Sequence, residues 1–379
     1  MIAPVVLATG ACCPIGTRAW QIAASIDTQR AAFTRTKIAA HRDHLATISR
    51  LTDISELTRG VDRLVRLAAP ALREALAQVP GLWPLQRPIP LFIALPELID
   101  ELPERIDNAR FALELPRAVN VAPEYLPVTW FSSGEVGGAE AIARAIMFLD
   151  EHPEAPYVVV GGVDSFCDAE LIEIFYKRLW VQVNGFIDGF VASEGAAFLV
   201  LGREPIAADY LRLAMPAFGV EKQSRVRSER SLAGDGLVSA VRGALANADF
   251  PDGETGFNAL STLWSDIDGA QWRGAEITSL SAVYGGALPV VQRIAQFTGQ
   301  MGAAWVPVLV SLLHQMKNLK HHPLGAQEFT GHTGLIAVNG LSTRQAALIG
   351  AWWYSRAVET QIANSTKSAA VALRGKKHI

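Results

Sequence analysis

Strand-length apolar runs alternate with helix-length amphipathic stretches along this chain, and the alternation occurs twice in the same order. In the first series, residues 4–9, 90–95, 126–130, 157–160 and 195–201 read as strands. Residues 17–26, 62–78, 105–115 and 134–150 read as the helices between them. Leu64, Leu67, Ala71, Leu72 and Leu76 recur near the 3.6-residue helical period, and Pro70 within that stretch predicts a kink or a break. In the second series, residues 211–220 (interrupted at Pro216), 257–260, 335–338 and 346–354 read as strands, and 234–248 and 303–319 as helices. Mixed alternation of this kind predicts an α/β architecture. The shared order predicts two related halves, residues 1–205 and 206–379.

Composition narrows what such halves do. Half of the 379 residues are hydrophobic and the formal net charge is −3, so the chain has neither the low hydrophobicity nor the high charge of a disordered protein. It shows no basic excess of the kind that neutralises nucleic-acid phosphates, so no nucleic-acid partner is expected. The longest mainly apolar run, residues 302–313, is shorter than the roughly 20 residues that cross a bilayer. No basic leader precedes the apolar start, and no membrane span is expected. Cys12, Cys13 and Cys167 make an odd set of thiols, which favours a reducing, cytoplasmic setting. The segment 222–230 reads as a solvated loop, and the basic tail from residue 364 as a frayed end.

The stretch 129–201 carries the most specific pattern. Thr129-Trp130-Phe131-Ser132-Ser133-Gly134 precedes an Ala-rich helix. Gly161-Gly162-Val163-Asp164 ends a strand, and Gly189-Phe190-Val191-Ala192-Ser193-Glu194-Gly195-Ala196-Ala197 leads into another. This series resembles the β-ketoacyl synthases of the thiolase superfamily, in which a strand ends in a Thr-Ala-Cys-Ser-Ser-Gly-like elbow, followed by Gly-Gly-Val-Asp and Gly-Phe-Val-x-Gly-Glu-Gly-Ala-Ala. More weakly, residues 5–16 are similar to the opening strand and turn. Residues 258–276 fall where the family carries its first catalytic His. Thr298-Gly299-Gln300-Met301-Gly302-Ala303-Ala304 is similar to the Thr-Gly-His segment.

The resemblance implies a thiolase-like fold, with two pseudo-repeated halves stacked as five αβαβα layers. It also implies a dimer through the strand at 126–130, no cofactor and no metal. Catalysis in that family needs a Cys thiolate at the elbow and two His that stabilise an enolate oxyanion, often with a Lys. Residue by residue, those positions fall here on Phe131, Leu260, Gln300 and Ala295. Phe has no lone pair, so no thioester forms there. Asn339-Gly340-Leu341-Ser342-Thr343 replaces the family's Gly-rich loop. Trp130, Phe131, Ser132 and Gln300 are the residues expected to line or fill the former acyl pocket. Gly161, Gly162, Asp164, Glu194 and Gly195 read as architectural, serving tight turns and braced loops.

Other candidates read as ordinary structure. Cys167 lacks a His on its C-terminal side and reads as a buried thiol rather than a displaced nucleophile. Thr330-Gly331-His332-Thr333-Gly334 precedes a strand instead of a long helix. His321-His322 has only Glu328 to complete a metal site. Ser132 and Ser133 lack the Gly-x-Ser-x-Gly elbow. Trp352, Trp353 and Tyr354 read as core or interface residues.

The leading expectation is therefore a ketosynthase-like pseudoenzyme. It would be a chain-length-factor-like partner or scaffold, forming a homodimer or a heterodimer with an active ketosynthase, with acyl carrier protein as a further partner. Two alternatives stand beside it: an active β-ketoacyl synthase or acyltransferase of fatty-acid or polyketide synthesis, and an adaptor of a secretion or effector gene cluster.

Overall fold

Strands come first in the account of the computed structural model, which describes residues 4–38, 41–99, 102, 106–203, 210–222, 234–250, 254–286, 288–316 and 333–352. They are β1 Val5–Cys12, β2 Thr34–Ile38, β3 His41–Ile48, β4 Leu91–Ala94, β5 Val128–Phe131, β6 Tyr157–Ser165 and β7 Glu194–Gly202, then β8 Leu211–Leu213, β9 Ala217–Val220, β10 Thr262–Ser265, β11 Val290–Gln292, β12 Thr333–Asn339 and β13 Arg344–Trp352. The helices are α1 Ala19–Asp27, α2 Gly60–Ala77, α3 Asn108–Ala118, α4 Gly137–Glu151, α5 Ala169–Lys177, α6 Asp235–Asn247, α7 Glu254–Asn258, α8 Gln271–Val283, α9 Ala295–Thr298 and α10 Trp305–Gln315.

The strand pairing repeats. In the first half the order is β1-β7-β6-β4-β5, with β4 parallel to β5 and β6, and β7 antiparallel to both its neighbours. In the second, β13 pairs antiparallel with β8 and β9 and with β12, and β10 runs parallel to β12 and β11. Each position of the first half thus has a counterpart in the second, with β5 matched by β11. The short β8 also pairs with the start of β1, so the two halves form one hydrogen-bonded path that ends at β5 and β11.

Five layers follow from which side chains are buried where. The central core packs α4 and α10 between Val158, Val160, Leu199 and Leu201 of one half and Ile336, Val338, Ala346 and Leu348 of the other. Outside the first half, α2 and α3 cover Leu91, Ile93, Val159 and Val200. Outside the second, α6 and α8 cover Leu263, Leu335 and Ile349. This is a mixed αβαβα stack, the layering that the resemblance implies.

Two local expectations meet corrections. Helix α2 runs unbroken through Pro70. Leu64, Leu67, Leu72 and Leu76 are all buried, and burying each large side chain contributes about 1.5–3 kcal/mol, enough together to offset the roughly 3 kcal/mol a helix-interior Pro costs. Residues 257–260 are not a strand: α7 ends at Asn258 and the strand begins at Thr262. Phe257 and Leu260 sit three residues apart, the spacing of one helical turn, and bury together in the outer core. The hairpin β2–β3 and the helices α5 and α8 were not anticipated. The expectations for residues 223–230, 321–332 and 353–379 lie outside the described residues.

Candidate functional site

The elbow lies at the end strand of the sheet. Strand β5 pairs with β4 on one side, and Leu95 donates its N–H to the carbonyl of Phe131 at 2.9 Å. Consecutive strand residues face opposite ways. Phe131 packs against the central core, and Trp130 remains 40% exposed. The two rings therefore do not fill a common pocket. Ser132 Oγ accepts from Asn108 Nδ2 at 2.9 Å, and Ser133 Oγ accepts from Arg344 Nη1 at 3.0 Å. The two hydroxyls tie the elbow to the starts of α3 and β13.

Behind the elbow lies a buried charged network. Glu135 follows the turn at Gly134, and its Oε1 accepts from Arg273 Nη2 at 3.0 Å. Arg273 Nη1 binds Asp266 and also donates to the carbonyl of Asn339 at 2.8 Å. Its Nε lies 3.0 Å from Asp268 Oδ2. The Asn339 N–H donates to Asp266 Oδ2 at 2.8 Å. Gln300 Nε2 donates to Asp268 Oδ2 at 3.0 Å, and Gln300 Oε1 accepts from the Gly302 N–H at 3.1 Å. Glu276, one helical turn beyond Arg273 on α8, is buried with no hydrogen bond to either carboxylate oxygen. Arg273, Asp266, Glu276, Gln300 and Asn339 are fully buried, and Glu135 nearly so.

The electrostatics follow from one cation among four carboxylates. Burial pushes Glu135 and Glu276 up to about 8. Burial also raises Asp266 and Asp268, against the pull of Arg273. For Arg273 burial opposes the charge, but Asp266, Asp268 and Glu135 outweigh it and hold the guanidinium above its ordinary range. A buried guanidinium paired with several carboxylates braces the elements that carry them.

Of the four positions the resemblance singles out, two converge here. The elbow of Phe131 leads within four residues to Glu135, and Gln300 touches the same network through Asp268. Leu260 does not: it is buried in the outer core ahead of β10, and the residue just past the end of β10 is Asp266. Ala295 is buried in the short helix α9. Arg273, Asp266, Asp268, Glu135 and Glu276 were not singled out from the sequence. The signal for Asp266, Asp268, Arg273 and Glu276 was a lone Arg amid Asp-x-Asp and Glu on one short segment, directly after a strand.

The five matching residues frame this region. Asp164 Oδ2 accepts from the Ala303 N–H at 3.1 Å. A Cβ at Gly302, whose φ is +52°, would stand 2.1 Å from Asp164 Oδ2, and one at Gly162 would stand 2.3 Å from the carbonyl oxygen of Ala303. Only glycine permits these approaches. Gly161 packs on Phe198, and Gly195 on Met301. Glu194 accepts from Arg63 Nε and Nη2, each at 2.6 Å, and from Ser165 Oγ at 2.7 Å and the Leu51 N–H at 2.8 Å.

The cysteines sit elsewhere. Cys12 and Cys13 are buried, and burial raises Cys12 and pushes Cys13 up to about 12. Cys167 donates to the Ser49 carbonyl at 3.3 Å, and burial raises it well above the ordinary thiol range. It lines a groove of about 410 Å³ shared with Lys37, Arg50, Arg59, Ser165 and Asp168. Neither Phe131 nor Gln300 lines that groove.

No family model matches the sequence, and no curated protein matches it. Solved structures do. The chain is similar to the ishigamide ketosynthase/chain length factor, at 14% identity over 93% of this chain and 100% of that one, with a TM-score of 0.64. It is similar to the ketosynthase ApeO in complex with its chain length factor ApeC from Xenorhabdus doucetiae, at 13% identity over 93% and 98%, with a TM-score of 0.68. It is also similar to the ketosynthase from module 6 of the bacillaene synthase of Bacillus subtilis 168, at 13% identity over 93% and 72%, with a TM-score of 0.69. At these identities the likeness fixes the fold, that of the thiolase-like ketosynthases. Among the described residues no helix is long and apolar enough to cross a membrane.

Proposed function

We propose that this ketosynthase-fold chain does not condense acyl groups and works as a partner subunit beside an active ketosynthase, in the manner of a chain length factor. The observation that carries this reading is the pairing of Phe131 at the elbow with the buried Arg273 network behind it. An elbow without a thiol cannot hold an acyl group as a thioester, and the carboxylates behind it are buried around Arg273. The free edge of β5 and the half-exposed Trp130 support the partner role, since an end strand offers unpaired backbone groups to a second chain. Two of the similar structures are described as a ketosynthase with a chain length factor, which supports the same reading.

The test is co-purification with an active ketosynthase combined with radiolabelled acyl transfer. Recovery of a one-to-one heterodimer, with label on the partner alone, is the expected result. Stable acylation of any thiol in this chain returns the active-synthase reading. A homodimer that ignores every ketosynthase offered, and takes up no label, turns the reading toward an adaptor.

A further inference from the structure

The Arg273 network joins the two halves of the fold. Glu135 comes from the turn after β5 in the first half. Asp266 and Asp268 come from the loop after β10, Arg273 and Glu276 from α8, and Asn339 from the end of β12, all in the second half. Other charged groups face it from the elements around. Glu97, on the loop after β4, acts on Glu135 and is itself held by Ser342 and Leu341 and drawn by Arg344 at the start of β13. Glu221, after β9, acts on Glu276 and accepts from the Gly236 N–H at 3.3 Å. Asp235 on α6 pairs with Lys222 at the surface. The sum at the centre is one guanidinium against four carboxylates, in a place closed to bulk solvent.

We propose that this network is a proton-set clasp between the two halves, firm while Glu135 and Glu276 are neutral carboxylic acids and loosened when they ionise. The geometry requires that some of the acids carry protons. A guanidinium compensates the carboxylates it touches, and Arg273 already contacts Asp266, Asp268 and Glu135. Glu276 has no hydrogen-bond donor on either oxygen, so a charge there would be buried without compensation, which is strongly unfavourable. The neutral acid avoids that cost.

The direction of the pH dependence follows. A glutamate in the unfolded chain releases its proton near 4.5, and the buried Glu135 and Glu276 release theirs near 8. Between those values the folded chain holds more protons than the unfolded one, so stability falls as pH rises across that window. Below it the contribution is fully present; above it these two groups add no further slope.

The experiment uses the full chain. Urea midpoints are measured from pH 5 to pH 9 for the wild type, Glu276→Gln and Glu135→Gln, with hydrogen–deuterium exchange of segments 133–137 and 266–276 at pH 7 and pH 9, corrected for intrinsic exchange. Gln keeps the shape of the neutral acid and cannot ionise. Each variant is expected to lose up to about tenfold per pH unit of the wild type's slope in the unfolding constant across the window. Glu276→Gln is expected to match the wild type near pH 5 and to exceed it at pH 9. In the wild type, exchange in the two segments is expected to rise more than in the rest of the chain. Identical slopes in all three proteins, or exchange that rises uniformly, overturns the clasp. If a variant fails to fold, the wild-type exchange pattern decides. The partner role is tested by acyl transfer, which does not depend on these slopes, so the two readings fail separately.

Discussion

Arg273 Nη2 and Glu135 Oε1 lie 3.0 Å apart, both out of reach of solvent, and the bond between them ties a helix of the second half to the turn that follows Phe131 in the first. The ground behind the elbow is thus part of the framework. Glu135, Asp266, Asp268 and Gln300 are each held there by another side chain or by the backbone, while Glu276 is buried with neither carboxylate oxygen hydrogen-bonded.

Placing a thiol alone at the elbow is expected to give no acyl transfer. Phe131→Cys puts a sulfur at the elbow but leaves Gln300 bonded to Asp268 and the Glu135–Arg273 pair in place. A thiol near buried carboxylates is raised rather than activated. Incubation with radiolabelled acyl carrier protein is expected to give no more stable label than the wild type. Labelling that rises tenfold or more would mean that the network does not silence the site.

Removing the cation is expected to cost far more than removing a surface charge. Arg273→Met leaves Asp266 and Asp268 buried without their partner, a change worth about 3–5 kcal/mol. That is a large share of the roughly 5–15 kcal/mol that holds a domain folded. Urea unfolding at pH 7 reads it. A loss below about 1 kcal/mol would show that water or neighbouring donors replace the guanidinium.

How much of this was legible in the sequence depended on where charges point. Helix α2 announced itself because Leu64, Leu67, Leu72 and Leu76 face the core and Arg66 and Arg73 do not. The Gly-Gly-Val-Asp run was legible because close backbone approach at Gly162 admits no other residue. Helix α8 was silent because its inner face carries Arg273 and Glu276 beside Ile277 and Leu280, so its pattern reads as a solvated segment. Placing a strand at residues 257–260 followed from two apolar residues that pack as a helical turn, while the strand itself begins at Thr262. Periodicity reports burial of apolar groups; a core built on ion pairs hides from it.

The edge of β5 gives a prediction about assembly. Trp130 is 40% exposed on an end strand, and its replacement by a charge does not disturb the core that Phe131 packs against. Trp130→Glu is expected to leave the urea midpoint of an isolated subunit within about 0.5 kcal/mol and to weaken association at that edge, through a buried charge facing a second chain. Light scattering across a dilution series reads it. Equal dissociation of wild type and variant would place the contact elsewhere.

The three thiols give the last test. Burial raises Cys12 and Cys167 above the ordinary range and pushes Cys13 up to about 12. A raised thiol stays protonated as pH climbs, and only the thiolate attacks a disulfide reagent. At pH 8 the folded chain is therefore expected to react with an aromatic disulfide at least tenfold more slowly than the chain in urea, where all three cysteines are free. Cys167 decides the matter, because it lines the groove and a small reagent reaches it without unfolding. Rapid labelling of Cys167 in the folded chain, with a rate that levels off below pH 8, would identify a thiolate there and reopen the reading of Cys167 as a displaced nucleophile. Slow labelling that keeps rising to pH 9 and beyond is the behaviour of an inert thiol braced against the Ser49 carbonyl.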